Sequence, residues 1–199
     1  MQLTTDQSDA LKELINIGIG QAAGMLNEMI EYPIQLQIPE IELLYPLELQ
    51  NQLERRLGIN PLAAIQMGFS GSFTGSAQLI FPTESAATLV SLLTGEDAGS
   101  PDLDFLKTST LSEVGNIVVN GVMGSISNVL NQPLEYALPH YLEEKIEQLL
   151  PIDQAQNNVT VLLVRARFNI EQLQVQGDIV LFFDVGSFET LLKAIAAVV

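Results

Sequence analysis

A chain of 199 residues with no cysteine and a single histidine, His140, excludes disulfides, thiol nucleophiles, thiolate metal sites and histidine-ligated metal clusters. Its 24 acidic against 8 basic residues leave a net charge of −16, which argues against nucleic acid and anionic membrane surfaces and is compatible with a protein partner bearing a basic patch. Although the chain is 47% apolar, no run approaches the roughly 18–20 apolar residues that span a bilayer and no secretory leader is visible, so a soluble cytoplasmic protein without membrane insertion is expected.

Met1 to Ser8 is a short polar lead-in. Asp9 to Ile30 reads as a helix that Ser8 or Asp9 can cap. Its apolar residues Leu11, Ile15, Ile19, Ala22, Leu26 and Met29 recur at steps of three and four, the spacing of one helical face. Asp9, Glu13 and Asn16 stand at i, i+4 and i+7 and line a second, polar stripe. Gly18, Gly20 and Gly24 each weaken a helix by up to ~1 kcal/mol relative to alanine, which points to close approach of another helix or backbone. The glycines lie inside a helical pattern rather than after a strand, so they do not form a dinucleotide loop. Pro33 ends this helical region.

Ile34 to Ile38 alternates with period two and reads as a strand reaching Pro39. Leu47 to Leu57 has helical spacing and is closed by Gly58. Leu62 to Phe69 and Ser76 to Phe81 read as strands around a Gly71–Gly75 turn. Pro82 opens a helix from Thr83 to about Leu93, stopped by Gly95. Glu96 to Asp102 is the one linker signal in mid-chain. Beyond it come a helix from Ser109 to Leu130, a strand from Leu134 to Leu138 and a short acidic helix from Tyr141 to Leu150 closed by Pro151. Strands over Val159–Phe168 and Leu173–Phe183 follow, and then a last helix after Gly186, from Phe188 to about Val198.

The polar stripe occurs twice. Ser109, Glu113 and Asn116 repeat Asp9, Glu13 and Asn16 at an offset of 100, which also carries Leu11 to Leu111, Gly24 to Gly124 and Pro39 to Pro139. Further along, Gly75–Phe81 matches Gly177–Phe183 at an offset of 102, so two residues have been inserted between the anchors. Each half reads α–β–(short α)–β–β–α. The fold class expected is α+β, an α/β sandwich in a single domain. Two repeats, about 1–95 and 103–199, would be related by a pseudo-twofold axis. The hairpins would pair antiparallel across or beside that axis, and the long amphipathic helices would cover the sheet and keep their polar stripe outward. His140 follows a proline with no serine elbow nearby and reads as a surface residue.

Both halves fit one pattern: Asp or Ser, three residues, Glu, two residues, Asn, twenty-two residues, Pro. The members are Asp9, Glu13, Asn16 and Pro39, then Ser109, Glu113, Asn116 and Pro139. This resembles the signature of the CheC/CheX/FliY family of chemotaxis phosphatases, and ELINIGIGQAAGML and LSEVGNIVVNGVM look like its two active-site helices. Two copies in about 200 residues resemble the CheC branch, whereas CheX-type members keep one site and pair as dimers. A pseudo-twofold chain with two sites needs no dimer, and monomer and dimer both stay open.

The resemblance implies dephosphorylation of the aspartyl phosphate on a phosphorylated CheY-type response regulator. The regulator supplies the phosphoryl-bearing Asp, a Mg²⁺ and a Lys, so this chain binds no cofactor or metal of its own and contributes mainly positioning. Asn16 and Asn116 would hold a water in line with phosphorus, since a carboxamide both donates and accepts. Glu13 and Glu113 would pair with the regulator's Lys. Asp9 and Ser109 would cap their helices, and Pro39 and Pro139 would fix a strand or turn. The competing reading is a non-catalytic module that binds a regulator, a flagellar-switch protein or a CheD-like adaptor. A metal-dependent hydrolase finds no closely spaced Asp set and no His cluster.

Overall fold

The computed structural model describes residues 3–28, 34–97, 100–150, 160–170, 173–184 and 186–197. The elements run α1 (Thr5–Asn27), β1 (Ile34–Leu44), α2 (Pro46–Leu57), β2 (Leu62–Gly71), β3 (Gly75–Pro82), α3 (Thr83–Thr94) and α4 (Pro101–Leu130). They continue with β4 (Leu134–Tyr136), β5 (His140–Glu144), α5 (Ile146–Leu149), β6 (Thr160–Ile170), β7 (Leu173–Phe183) and α6 (Ser187–Ala196). The seven strands form one sheet in the order β1-β6-β7-β3-β2-β4, with β5 also on β2, and every pairing is antiparallel.

Strand residues alternate between two cores because successive side chains leave a strand on opposite faces. Leu162, Val164, Ile179, Leu181, Ala77, Leu79, Ile65 and Met67 face the larger core, closed by α1, α3, α4 and α6. Val161, Leu163, Val180, Phe182, Ile80 and Ala64 face a smaller one, closed by Leu49 and Leu53 of α2 and Ile146 and Leu149 of α5. Burial on both faces is why the central strands read as continuous apolar runs.

The two hairpins share one sheet. The hairpins β2–β3 and β6–β7 join through β3 and β7, where Ser76 pairs with Phe182 and Ile80 with Asp178. Between them Gln78 pairs with Val180, the residue 102 positions further along the chain. The first strand of each half does not pair with its own hairpin: β1 pairs with β6, and β4 and β5 pair with β2. The two halves are interlocked through one sheet.

Local chemistry accounts for the helix ends. α1 begins at a capping box in which the Thr4 hydroxyl accepts from the Gln7 N–H at 3.2 Å and the Gln7 side chain accepts from the Thr4 N–H at 3.0 Å. Ser8 and Asp9, expected as caps, therefore lie one turn inside the helix. α4 starts at Ser100–Pro101, a cap followed by proline at the first helical position, eight residues before the expected Ser109. Ser109 is mid-helix, its hydroxyl bonded back to the Leu106 carbonyl at 3.0 Å, so it caps nothing. The end of the expected linker, Pro101–Asp102, is thus helical.

Tyr141–Leu150 is not one helix. Its first part is β5, because β2 offers a free edge: Tyr141 pairs with Ile65 and Glu144 with Leu62, and only Ile146–Leu149 coils. The expected breaks at Pro33 and Pro151, and the helix ends at Ile30 and Val198, lie outside the described residues.

Candidate functional site

α1 and α4 pack directly against each other. They cross at Gly18 and Gly121, where a Cβ on Gly18 would stand 2.3 Å from the Gly121 carbonyl oxygen and one on Gly121 would stand 2.7 Å from the Gly18 oxygen. The buried Ser125 hydroxyl donates across the crossing to the Leu14 carbonyl at 2.8 Å. The close approach expected of the glycines is thus met at Gly18. Gly20 and Gly24 look onto open space.

Because Leu11, Leu14, Ile15, Ile19, Ala22 and Leu26 turn into the core, the opposite face of α1 meets solvent. Asp9, Glu13 and Asn16 are all exposed there, with Asp9 3.9 Å from the Lys12 ammonium. On α4 the burial of Leu111, Val114, Val118 and Val122 leaves Ser109 and Glu113 exposed and Asn116 half-buried. Each helix thus presents a carboxylate and, one turn on, a carboxamide. Such a pair offers a charge for a cationic side chain and a neutral group with both donor and acceptor for a water.

The surroundings of the two copies also differ. Next to Glu13 lies an apolar recess of about 200 Å³ between Ala10, Leu14 and Ile17 of α1, Val129 and Leu130 of α4, and Ile195 of α6. Ile17 is 40% exposed there, whereas its counterpart Ile117 is buried. In the second copy, Asn120 donates through Nδ2 to the Oδ1 of Asn116 at 2.7 Å. Its counterpart in the first copy is Gly20. Asn120 was not singled out from the sequence, although the Gly-to-Asn mismatch at an offset of 100 is the signal that marks it.

Pro39 lies in β1 and Pro139 between β4 and β5, at the two edges of the sheet rather than on the helices. β1 and β6 slip register between Gln37 and Glu40, a bulge that contains Pro39. Pro139 stands in the break between β4 and β5, where the Ala137 N–H still bonds the Gly68 carbonyl at 2.9 Å. Proline has no N–H to give a ladder, and bulges and edges are where sheets accommodate it.

His140 starts β5, is exposed, and is paired across the ladder with Gln66. Among the described residues, no group of three or more His, Cys, Asp or Glu is placed to hold a metal ion, and no helix is long and apolar enough to cross a membrane.

No family model matches the chain. It is 26% identical to the CheY-P phosphatase CheC of Bacillus subtilis over 96% of this chain and 95% of that protein. Its fold matches the crystal structure of FliY from Thermotoga maritima with a TM-score of 0.79, at 16% identity and over the full length of both chains. A more distant likeness, TM-score 0.51 at 16% identity over 86% of this chain and 97% of the other, is to a CheX–CheY–BeF3–Mg²⁺ complex from Borrelia burgdorferi. The chain is thus similar in sequence, over nearly its whole length, to CheC of Bacillus subtilis, and similar in fold to FliY of Thermotoga maritima.

Proposed function

We propose that this chain is a phosphatase that stimulates hydrolysis of the aspartyl phosphate on a CheY-type response regulator, with Glu13 and Asn16 forming one site and Glu113 and Asn116 the other. The observation that carries this reading is the doubled Glu-x-x-Asn stripe, held at solvent-facing positions on two helices packed against each other. The identity to a CheY-P phosphatase along nearly the whole chain supports it.

An acyl phosphate is reactive on its own, and the regulator brings the phosphorylated Asp, Mg²⁺ and a Lys to its own site. What a partner can add is a placed nucleophile. The carboxamide oxygen of Asn16 or Asn116 would accept a hydrogen from a water and aim its lone pair along the line of the breaking P–O bond. Being neutral, the amide works without a titration of its own. The carboxylate one turn earlier would pair with the regulator's Lys and set the register of docking. Asp9 and Ser109, a further turn toward the N-terminus, would border the docked surface. Hydrolysis returns free carboxylate and inorganic phosphate to solution. This reading places the protein in the cytoplasm, and since one chain carries both sites, it does not require a dimer.

The test is phosphate release from a phosphorylated CheY-type regulator in Mg²⁺. Asn16→Ala combined with Asn116→Ala should reduce release to the regulator's own rate, with the circular dichroism and melting of the protein unchanged. Full stimulation by that double variant would sink the mechanism. Regulator binding without any acceleration by the unaltered protein would make the chain a binding module instead.

A further inference from the structure

Resting on the phosphatase reading, we infer that Asn120 is a positioning residue for the second site. It holds the Asn116 carboxamide in one orientation, a restraint that the first site lacks because position 20 is glycine. Asn116 and Asn120 are one helical turn apart on the same face of α4, and the Asn120 Nδ2 donates to the Asn116 Oδ1 at 2.7 Å. A carboxamide turns about its last torsion with a broad preference. The bond from Asn120 removes that freedom and sets the Asn116 Nδ2 on the side away from Asn120. A carbonyl oxygen has two lone pairs, so Oδ1 keeps one for a water hydrogen.

A second observation separates this role from ordinary helix packing. The Asn120 Oδ1 is itself buried with no hydrogen-bond partner among the described residues. An unpaired buried acceptor is destabilising, and asparagine is a poorer helix former than alanine. A side chain kept only for stability would not carry both penalties. The first copy shows the alternative: Gly20 is exposed, and a Cβ built on it meets nothing within 4 Å.

The experiment isolates one site at a time, with a CheY-type regulator phosphorylated by acetyl phosphate in Mg²⁺. With Asn16→Ala silencing the first site, Asn120→Ala should lower kcat about fivefold, a positioning effect, with KM for the phosphorylated regulator unchanged and Tm equal or higher. With Asn116→Ala silencing the second site, Gly20→Asn should raise kcat by about threefold by supplying the missing restraint.

An unchanged kcat in Asn120→Ala, or a fall in kcat accompanied by a lower Tm or a raised KM, overturns the positioning role. Stimulation that survives in Asn16→Ala/Asn116→Ala overturns the asparagine mechanism and the positioning role together, whereas no stimulation by the unaltered protein overturns the phosphatase reading, so the failures are told apart by which protein retains activity.

Discussion

The crossing of α1 and α4 makes a prediction in which two alanine substitutions on one helix have opposite signs. In Gly18→Ala, the new Cβ would lie 2.3 Å from the Gly121 carbonyl oxygen and 2.7 Å from the Val122 Cα. Non-bonded heavy atoms rest at about 3.5 Å, so the helices must part by roughly 1 Å. Both neighbours are backbone, which cannot swing aside as a side chain would, and the same separation stretches the bond from Ser125 to the Leu14 carbonyl.

Overpacking of this kind costs about 1–3 kcal/mol, and the backbone clash argues for the upper end. Against it stands a gain of about 1 kcal/mol in helix propensity. The net is a loss of about 2 kcal/mol, or roughly 4–8 °C in Tm for a chain of this size. Gly24→Ala meets nothing within 4 Å and keeps only the propensity gain, so its Tm should rise by roughly 2–4 °C. Thermal and urea denaturation of the two variants beside the parent read both values. A Gly18→Ala protein that melts at or above the parent would refute the claim that bare backbone at this crossing holds the two helices together.

Elsewhere, Arg56 of α2 forms an ion pair with Asp178 of β7, whose side chain is completely buried. Arg56→Met should cost about 3–5 kcal/mol by leaving a buried carboxylate unpaired. Adding Asp178→Asn should recover most of that loss in urea melts, and no recovery would show that the arginine acts by packing alone. Glu143 of β5 supplies a pH dependence. Partial burial pushes its carboxyl up, but hydrogen bonds from Lys107, 2.9 Å away, and from Tyr141, together with the Lys107 charge, outweigh this and hold it below the ordinary 4.5. A depressed carboxyl stabilises the fold above its unfolded-state value and loses that contribution as pH falls through its folded-state value. Glu143→Gln should therefore melt below the parent at pH 7, and the gap should close below about pH 4.5. A gap that persists at pH 3 would count against the ion pair.

The stripes on α1 and α4 were legible because helical spacing and solvent exposure are properties of a dozen contiguous residues, and the offset of 100 made Glu13–Asn16 and Glu113–Asn116 stand out together. The start of α4 was also written in the chain. Ser100–Pro101 is a cap and a first-turn proline, but the linker signal over 96–102 masked it. The strand β5 was not legible: Tyr141–Glu144 is acidic enough to resemble a helix, and only the open edge of β2 extends it. The same limit hid the exchange of first strands between halves, since a local pattern names a strand but not its partner. Asn120 does not emerge from the positions the repeats share, because what distinguishes α4 from α1 there is a position where they differ.

That exchange of strands has a consequence for synthesis on the ribosome. Leu44 finds its partner at Val161 and Ile34 finds its partner at Ile170, separations of 161 − 44 = 117 and 170 − 34 = 136 residues. At about 5–20 residues per second, β1 is exposed for roughly 6 to 27 seconds with its hydrogen-bonding edge unsatisfied, an interval in which such an edge invites pairing with other nascent chains. The first half emerges complete in sequence but unable to close its own sheet. Ribosome profiling with a pulldown of holdase chaperones should show occupancy that begins soon after β1 leaves the tunnel and ends only once β6 has followed it.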